Sequence, residues 1–364
     1  MRIKDWLAGA MPRRILSWYH ALLPFLGALW YGFPSHKLVV IGVTGTNGKT
    51  TTVHLVAHVL ATAGLRVAAL SSIQFTIAGD ARPNDLKMTM PGRFTIQRFL
   101  SDALRADCTH AVIEVTSEGI RQHRHAWIRF AIAVFTNLSP EHIERHGGYE
   151  EYRRAKGKLF HSLKPVRRGR RFKTISIING DDPESAYFGS FLADEQYWYG
   201  VQFLNAPVRT REVKSSGIGS SERGITFTLE NRHFSLPLTG LFNVYNALAA
   251  ITVGISQGIP LERIQKALAG VGIIPGRMEE IERVPVRIIV DYAHTPRALK
   301  EVYQTLAPRG GLDGTRREGH LICVLGSAGG GRDRWKRPEL GTLAASYCTH
   351  IVLTDEDPYD EDPH

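Results

Sequence analysis

The chain has 364 residues, 45 Lys and Arg against 35 Asp and Glu, a formal charge of +10 and 43% hydrophobic residues. That length exceeds one ordinary core and calls for two or three domains with room for a site between them; the charge suits nucleotide phosphates, nucleic acid or an anionic membrane without choosing among them. Three cysteines, Cys108, Cys323 and Cys348, in no CxxC pair, argue against a zinc ribbon or disulfide framework and point to a reducing cytoplasm.

In residues 1–37, Arg2, Lys4, Arg13 and Arg14 precede an apolar and aromatic stretch over 15–33. No small-residue cleavage site follows, which argues against a signal peptide. Ser17, His20 and Pro24 interrupt the stretch, which argues against a membrane span, while Trp18, Tyr19, Trp30 and Tyr31 read as interfacial anchors. The segment is expected to be an amphipathic hairpin docked on the next domain. Peripheral membrane contact ranks second and a true span last.

From there the order is α/β. Residues 37–43 predict a strand, 51–63 a helix and 66–70 a second strand, with a glycine loop inside this βαβ unit. Apolar runs at 111–115, 131–136 and 174–178 alternate with helices at 96–104 and 149–163, as a mostly parallel sheet requires. The arginine-rich 166–173 reads as an exposed loop. Short alternating runs at 224–229 and 233–238 predict an antiparallel excursion, and 243–257 returns to helix. Residues 270–276, with three glycines and a proline, mark the domain boundary. Strands at 286–290, 320–325 and 350–354 around helices at 296–306 and 338–346 then build a smaller, Rossmann-like α/β unit, expected to be incomplete at His364. The predicted division is an N-terminal segment, 1–37, a P-loop ATPase domain, 38–272, and a partial C-terminal domain, 273–364.

The run Gly45-Thr46-Asn47-Gly48-Lys49-Thr50-Thr51 sits between a strand and a helix, where backbone N–H groups and the helix dipole cradle phosphates. Lys49 is placed to reach the terminal phosphates and Thr50 to bind Mg²⁺. The generic pattern is met in part, because position 43 is valine where that pattern has glycine.

The wording Thr-Gly-Thr-Asn-Gly-Lys-Thr-Thr resembles the Mur ligases, ATP-dependent enzymes that add amino acids to the peptide of cell-wall precursors. Further matches follow in family order at 114–119, 136–142, 152–156, 242–248, 275–279 and 291–296. The wording is nearest to the enzymes that add a third, diamino acid residue to UDP-N-acetylmuramoyl dipeptide. The resemblance implies Mg²⁺ ligands at Glu114, at the end of an apolar strand, and at His142, in a strand-to-helix loop. It also implies carbamate formation on Lys156, which would turn a repelling cation into an anionic ligand. Asn246 is expected near adenine, with Arg277 and Asp291 reaching the nucleotide from the following domain. Thr89, Ser117, Gln122 and Arg124 are expected to hold the muramoyl-peptide, and the loop of Arg332 and Asp333, with Asp357, to receive the amino acid.

Two departures limit the reading. Only about 37 residues precede the ATPase core, where the family has a uridine-binding domain, so UDP recognition is in question. Relatives acting on lipid-linked muropeptides carry a four-cysteine zinc ribbon that this chain lacks. The second departure is Asp355-Glu356-Asp357-Pro358-Tyr359, where diaminopimelate-adding enzymes have Asp-Asn-Pro-Arg. Tyr359 replaces a carboxylate-clamping arginine, and Glu356 and Asp357 better suit an ammonium group such as lysine's. The expected activity is ATP-dependent joining of an amino acid to a UDP- or lipid-linked muramoyl-peptide carboxylate through an acyl phosphate. The expected protein is a cytoplasmic monomer, in peripheral contact with the membrane on the second reading of 1–37, with ATP and Mg²⁺ and no nucleic-acid partner. A non-catalytic ATP-binding protein is the competing reading, and folylpolyglutamate or cyanophycin synthesis shares the ligase core.

Overall fold

A computed structural model describes residues 13–86, 88–163, 165, 171–203, 210–221, 223–282, 286–307, 319–330, 332–359 and 361–362. Of the N-terminal segment, the described part forms helix α1 (Arg13–Trp30), with Pro24 inside it. After α1 the chain turns at Gly32 and Phe33, both at positive φ. Pro24, Gly27 and Ala28 are buried, with Gly27 against Phe94 and Gln97. Leu22, Leu26, Leu29 and Trp30 remain exposed. The part of this segment before residue 13 lies outside the described residues. Among the described residues, no helix is long and apolar enough to cross a membrane.

The predicted βαβ unit is β1 (Val39–Thr44), α2 (Lys49–Thr62) and β2 (Val67–Leu70). A hairpin not anticipated from the sequence follows, β3 (Gln74–Ile77) and β4 (Asp80–Pro83). Its signal is the pair Ala78-Gly79, both at positive φ, which suits a tight two-residue turn. Then come α3 (Arg93–Arg105), β5 (His110–Glu114), α4 (Ser117–Arg121), β6 (Phe130–Phe135), α5 (Ile143–His146), α6 (Tyr149–His161), β7 (Ile175–Asn179), α7 (Ser185–Gly189), β8 (Glu195–Gly200) and β9 (Arg211–Lys214). These strands form one sheet in the order β4-β3-β2-β5-β1-β6-β7-β8-β9, parallel except at the hairpin. Most of the 166–173 loop falls outside the described residues; 171–173 have no regular structure.

All six residues of β1 are buried because both faces of the sheet are covered. Val39, Ile41 and Val43 enter one core and Leu38 and Val40 the other, as a two-residue period dictates. Gly42 has no side chain because a Cβ there would stand 2.9 Å from Leu159 and Phe130. The first core is closed by α2, by the antiparallel β10 (Ser216–Ser221), β11 (Gly224–Leu229) and β12 (Arg232–Leu236), and by α8 (Phe242–Ser256) and α9 (Leu261–Ala269). The second is closed by α3, α6 and α7.

Past the glycine-rich linker, β13 (Glu279–Glu282) and β14 (Ile288–Val290) pair antiparallel. Helix α10 (Pro296–Leu306), β15 (Ile322–Leu325), α11 (Lys336–Tyr347) and β16 (His350–Leu353) follow, with β15 and β16 parallel. Met278, Leu299, Val302, Tyr303, Cys323, Leu340 and Ala344 give this unit its own small core, while Val324, Val352 and Leu353 stay exposed.

Candidate active site

Strand β1 lies between β5 and β6, with Val43 opposite Glu114 and Thr44 opposite Phe135. The carboxyl ends of three buried strands therefore converge where the strand order reverses, the place where open α/β sheets collect ligands. A cavity of about 800 Å³ opens there.

The phosphate loop leaves β1 through Gly45, where a Cβ would fall 2.0 Å from the Thr136 hydroxyl, and enters α2 through Gly48, at φ 79° and pressed on Asn246. Asn137 pins the loop: its Oδ1 accepts from the Asn47 N–H at 2.9 Å and its Nδ2 donates to the Asn47 carbonyl at 3.1 Å. Lys49 donates to the Thr46 carbonyl at 2.8 Å, and burial lowers its pKa, partly offset by Glu114. Thr46, Asn47, Gly48, Lys49, Thr50 and Thr51 line the cavity, whereas Gly45 lies behind it.

Glu114 ends β5 with one oxygen heavily used. Its Oε2 accepts from the Thr50 hydroxyl at 2.9 Å, the Ser72 N–H at 3.0 Å and the Ser72 hydroxyl at 3.2 Å. Arg277, from beyond the linker, donates to the same Thr50 hydroxyl at 2.9 Å and stacks over Tyr292. Thr50, Ser72 and Glu114 thus offer the hydroxyl and carboxylate oxygens that suit a hard divalent cation. Among the described residues no three His, Cys, Asp or Glu side chains converge as a metal cluster. His142 borders the cavity in a left-handed conformation, φ 56°. Burial, reinforced by Lys156 and Lys49, drives its pKa down to about 3, so the imidazole is neutral and able to ligate. Lys156 is buried, donates to the Gly45 carbonyl at 2.6 Å and sits over the Tyr152 ring. Burial first, and then Lys49, pushes its pKa far below the ordinary lysine range, favouring the neutral amine that carbon dioxide addition requires.

Thr89, Ser117, Gln122 and Arg124 also line the cavity. Arg124 is engaged within the protein, donating to Gln122 Oε1 and to the Met90 carbonyl, so it shapes the wall as well as presenting charge. Asn246 lies against Gly48 of the loop, and its amide is fixed at both ends: Oδ1 accepts from Thr52 and Nδ2 donates to Asn243. Asp291 accepts from the Met278 and Ala293 N–H groups, fixing the strand entry beside Arg277. Arg332 borders the cavity; Asp357 does not. Asp333, grouped with Arg332 in the sequence reading, is buried and accepts from the Ile143 and Glu144 N–H groups. It is therefore an internal contact.

Sequence reasoning missed Ser72, Glu141 and Lys336. Ser72 follows β2 with no motif to mark it. Glu141 stood inside the quoted 136–142 run but was passed over for its histidine neighbour.

Residues 43–254 match the Mur ligase middle domain, and residues 276–364 match the family described as Mur ligase, glutamate ligase domain. The chain is 39% identical over 350 residues to the UDP-N-acetylmuramyl-tripeptide synthetase of Roseiflexus sp. (strain RS-1), an alignment covering 94% of this chain and 67% of that protein. It is 36% identical over 346 residues to a UDP-N-acetylmuramoyl-L-alanyl-D-glutamate--2,6-diaminopimelate ligase of Thermosynechococcus vestitus, covering 93% and 65%. The chain spans about two thirds of the length of these curated relatives. A solved structure of a ligase with that second name aligns at TM-score 0.61 and 30% identity, over 90% of this chain and 63% of the other. Folylpolyglutamate synthase of Mycobacterium tuberculosis, complexed with ADP and AMPPCP, aligns at TM-score 0.72 and 18% identity over 92% and 79%, a likeness of fold.

Proposed function

The chain belongs to the Mur ligase family, and from that membership we propose that it is an ATP-dependent ligase joining an amino acid to a muramoyl-peptide carboxylate in peptidoglycan precursor synthesis. The observation that carries the reading is the Thr50 hydroxyl, shared between Glu114 and Arg277. It ties the phosphate loop, the acidic strand end and the following unit together at one point.

In this reading the γ-phosphoryl group passes to the acceptor carboxylate, and the amine attacks the resulting acyl phosphate to leave an amide, ADP and phosphate. The loop N–H groups and Lys49 hold the phosphates, and Arg277 moves from Thr50 onto phosphate oxygens as charge builds there. Positioning in the shared cavity supplies much of the remaining acceleration, without a side-chain nucleophile. Mg²⁺ would be held by Thr50 and Glu114, with a second ion at His142 and carbamylated Lys156, and would neutralise phosphate charge. Thr89, Ser117 and Gln122 face the acceptor. Asn246 and Asp291 act on the nucleotide through the loop and the Arg277 strand that they fix.

The amine is a diamino acid, with lysine favoured over diaminopimelate. Tyr359 packs on Gly330, whose Cβ would come within 2.7 Å of the ring, and no arginine stands at that position to clamp a distal carboxylate. For the acceptor, the exposed row Leu22, Leu26, Leu29 and Trp30 supports a cytoplasmic enzyme in peripheral contact with the membrane and a lipid-linked muropeptide as the second substrate form. An ADP-release screen of amino acids against UDP- and lipid-linked muramoyl dipeptide tests the proposal. Release that needs both an amine and an acceptor is expected; release indifferent to both contradicts it.

A further inference from the structure

The two units are held together beside the cavity by contacts that no phosphate-binding role explains. Lys336, at the start of α11, donates to Glu141 Oε1 at 3.0 Å, with both side chains 3% exposed. Asp333 accepts from the Ile143 N–H at 3.2 Å and the Glu144 N–H at 3.1 Å. The Arg334 N–H donates to Glu144 at 3.2 Å, and His294 Nε2 stands 3.9 Å from Glu141 Oε1. Each of these four residues meets the first unit within 141–144, on the two sides of His142.

His142 occupies a left-handed backbone conformation that a residue with a Cβ adopts at a cost, so the surrounding structure must impose it. Asp333, Arg334 and Lys336, from the other unit, hold the residues on either side of it. A buried charge pair is favourable only while both charges face each other; once separated, each rehydrates independently. Separating the units would therefore release Glu141, Ile143 and Glu144, the neighbours of His142, together. Glu141 lines the cavity, and its Oε2 is buried and, among the described residues, has no hydrogen-bond partner. The same carboxylate thus meets the other unit through one oxygen while the second is left without a protein partner among the described residues.

We infer that Glu141, Asp333 and Lys336 form a closure latch, positioning residues that bring His142 to the cavity only when the C-terminal unit docks on the phosphate-binding unit. What the latch accomplishes rests on the ligase reading, but its existence does not. Closure then assembles the site in one step, and an open molecule holding nucleotide lacks the His142 arrangement and cannot begin transfer.

The test uses the full chain and two readouts. Hydrogen exchange of the 143–146 amides, which needs no turnover, is compared in wild type, Lys336→Met, Lys336→Arg, Glu141→Gln and the Glu141→Gln/Lys336→Met double variant. At least tenfold faster exchange is expected at 143–146 in Lys336→Met, with α2 unchanged and most protection restored in Lys336→Arg. The double variant is expected to be no worse than the more affected single, because both break one pair. In turnover, kcat falls at least tenfold in Lys336→Met, by more than KM for ATP rises. Unchanged exchange at 143–146, multiplying effects of the two single variants, or loss of protection spread evenly over the chain would overturn the latch. A wild-type chain without turnover counts against the ligase reading alone, since the exchange readout stands without it.

Discussion

Gly48→Ala isolates what the phosphate loop demands of its backbone. Two costs combine at this position. A left-handed residue with a Cβ costs about 1–2 kcal/mol relative to glycine. The added Cβ would also stand 2.3 Å from Asn246 Oδ1, so the amide must retreat by roughly 1 Å to reach ordinary contact. That retreat gives up the 3.2 Å bond from Thr52 and strains the 2.9 Å bond to Asn243, each worth about 1 kcal/mol. The sum is about 2–4 kcal/mol, divided between folding and nucleotide binding. Gly64 provides the control, because its φ is +89° and nothing lies within 4 Å of its would-be Cβ. Gly64→Ala should lower Tm by only a few degrees and leave ADP affinity unchanged. Gly48→Ala should lower Tm further and weaken ADP binding by about tenfold or more, as read by scanning calorimetry and titration calorimetry on both variants. Indistinguishable behaviour of the two would refute the claim that the loop is shaped by contact with Asn246.

Glu114→Gln removes the carboxylate charge while keeping an oxygen for Thr50 and Ser72; kcat should fall by about 10²-fold or more and the Mg²⁺ requirement should rise, and an unchanged Mg²⁺ titration of ADP release would count against Glu114 as a ligand. Lys156→Met removes a buried amine that the structure pairs only with carbonyl oxygen and an aromatic face, so Tm should hold or rise while activity collapses and loses any response to bicarbonate; intact mass without a carbon dioxide adduct on the wild type would contradict the carbamate. His125 and His294 are pushed by burial to about 4 and about 3. Between those values and the ordinary ~6.5 the unfolded chain binds protons that the folded chain refuses, so their contribution is complete above ~6.5 and is lost as pH falls. Replacing both by Asn should flatten the fall of Tm from pH 6.5 to 4, and an unaltered slope would contradict their staying neutral in the folded chain.

The parallel sheet was legible because β1, β5, β6 and β7 are apolar at consecutive positions, the mark of strands covered on both faces. The hairpin β3–β4 was not, because β4 is exposed along its whole length and carries a proline. In the N-terminal segment, 13–30 is one helix that keeps Pro24 inside it and sets Gly27 against Phe94 and Gln97 of α3, and the chain turns at Gly32; the part before residue 13 lies outside the described residues. At the site, Lys49, Thr50, Glu114 and Arg277 could be named from local wording; all four line the cavity, with the Thr50 hydroxyl bonded to Glu114 and Arg277. Ser72 and the Glu141–Lys336 pair depend on contacts 42 and 195 residues apart in sequence, a distance at which no local pattern reports proximity. Asn246 was expected at adenine; its position beneath Gly48 follows from the packing of α8 against α2, which periodicity alone does not register.

The proposed reaction requires transfer of phosphate to the acceptor carboxylate before the amide forms. With the acceptor carboxylate labelled with ¹⁸O, an acyl phosphate must surrender one carboxylate oxygen to the phosphate that leaves when the amine attacks. Mass spectrometry of the released phosphate should therefore find one ¹⁸O per amide formed, only when ATP, amine and acceptor are all present. Phosphate free of label, formed at the same rate without acceptor or amine, would contradict the account and leave an ATP-hydrolysing relative in its place.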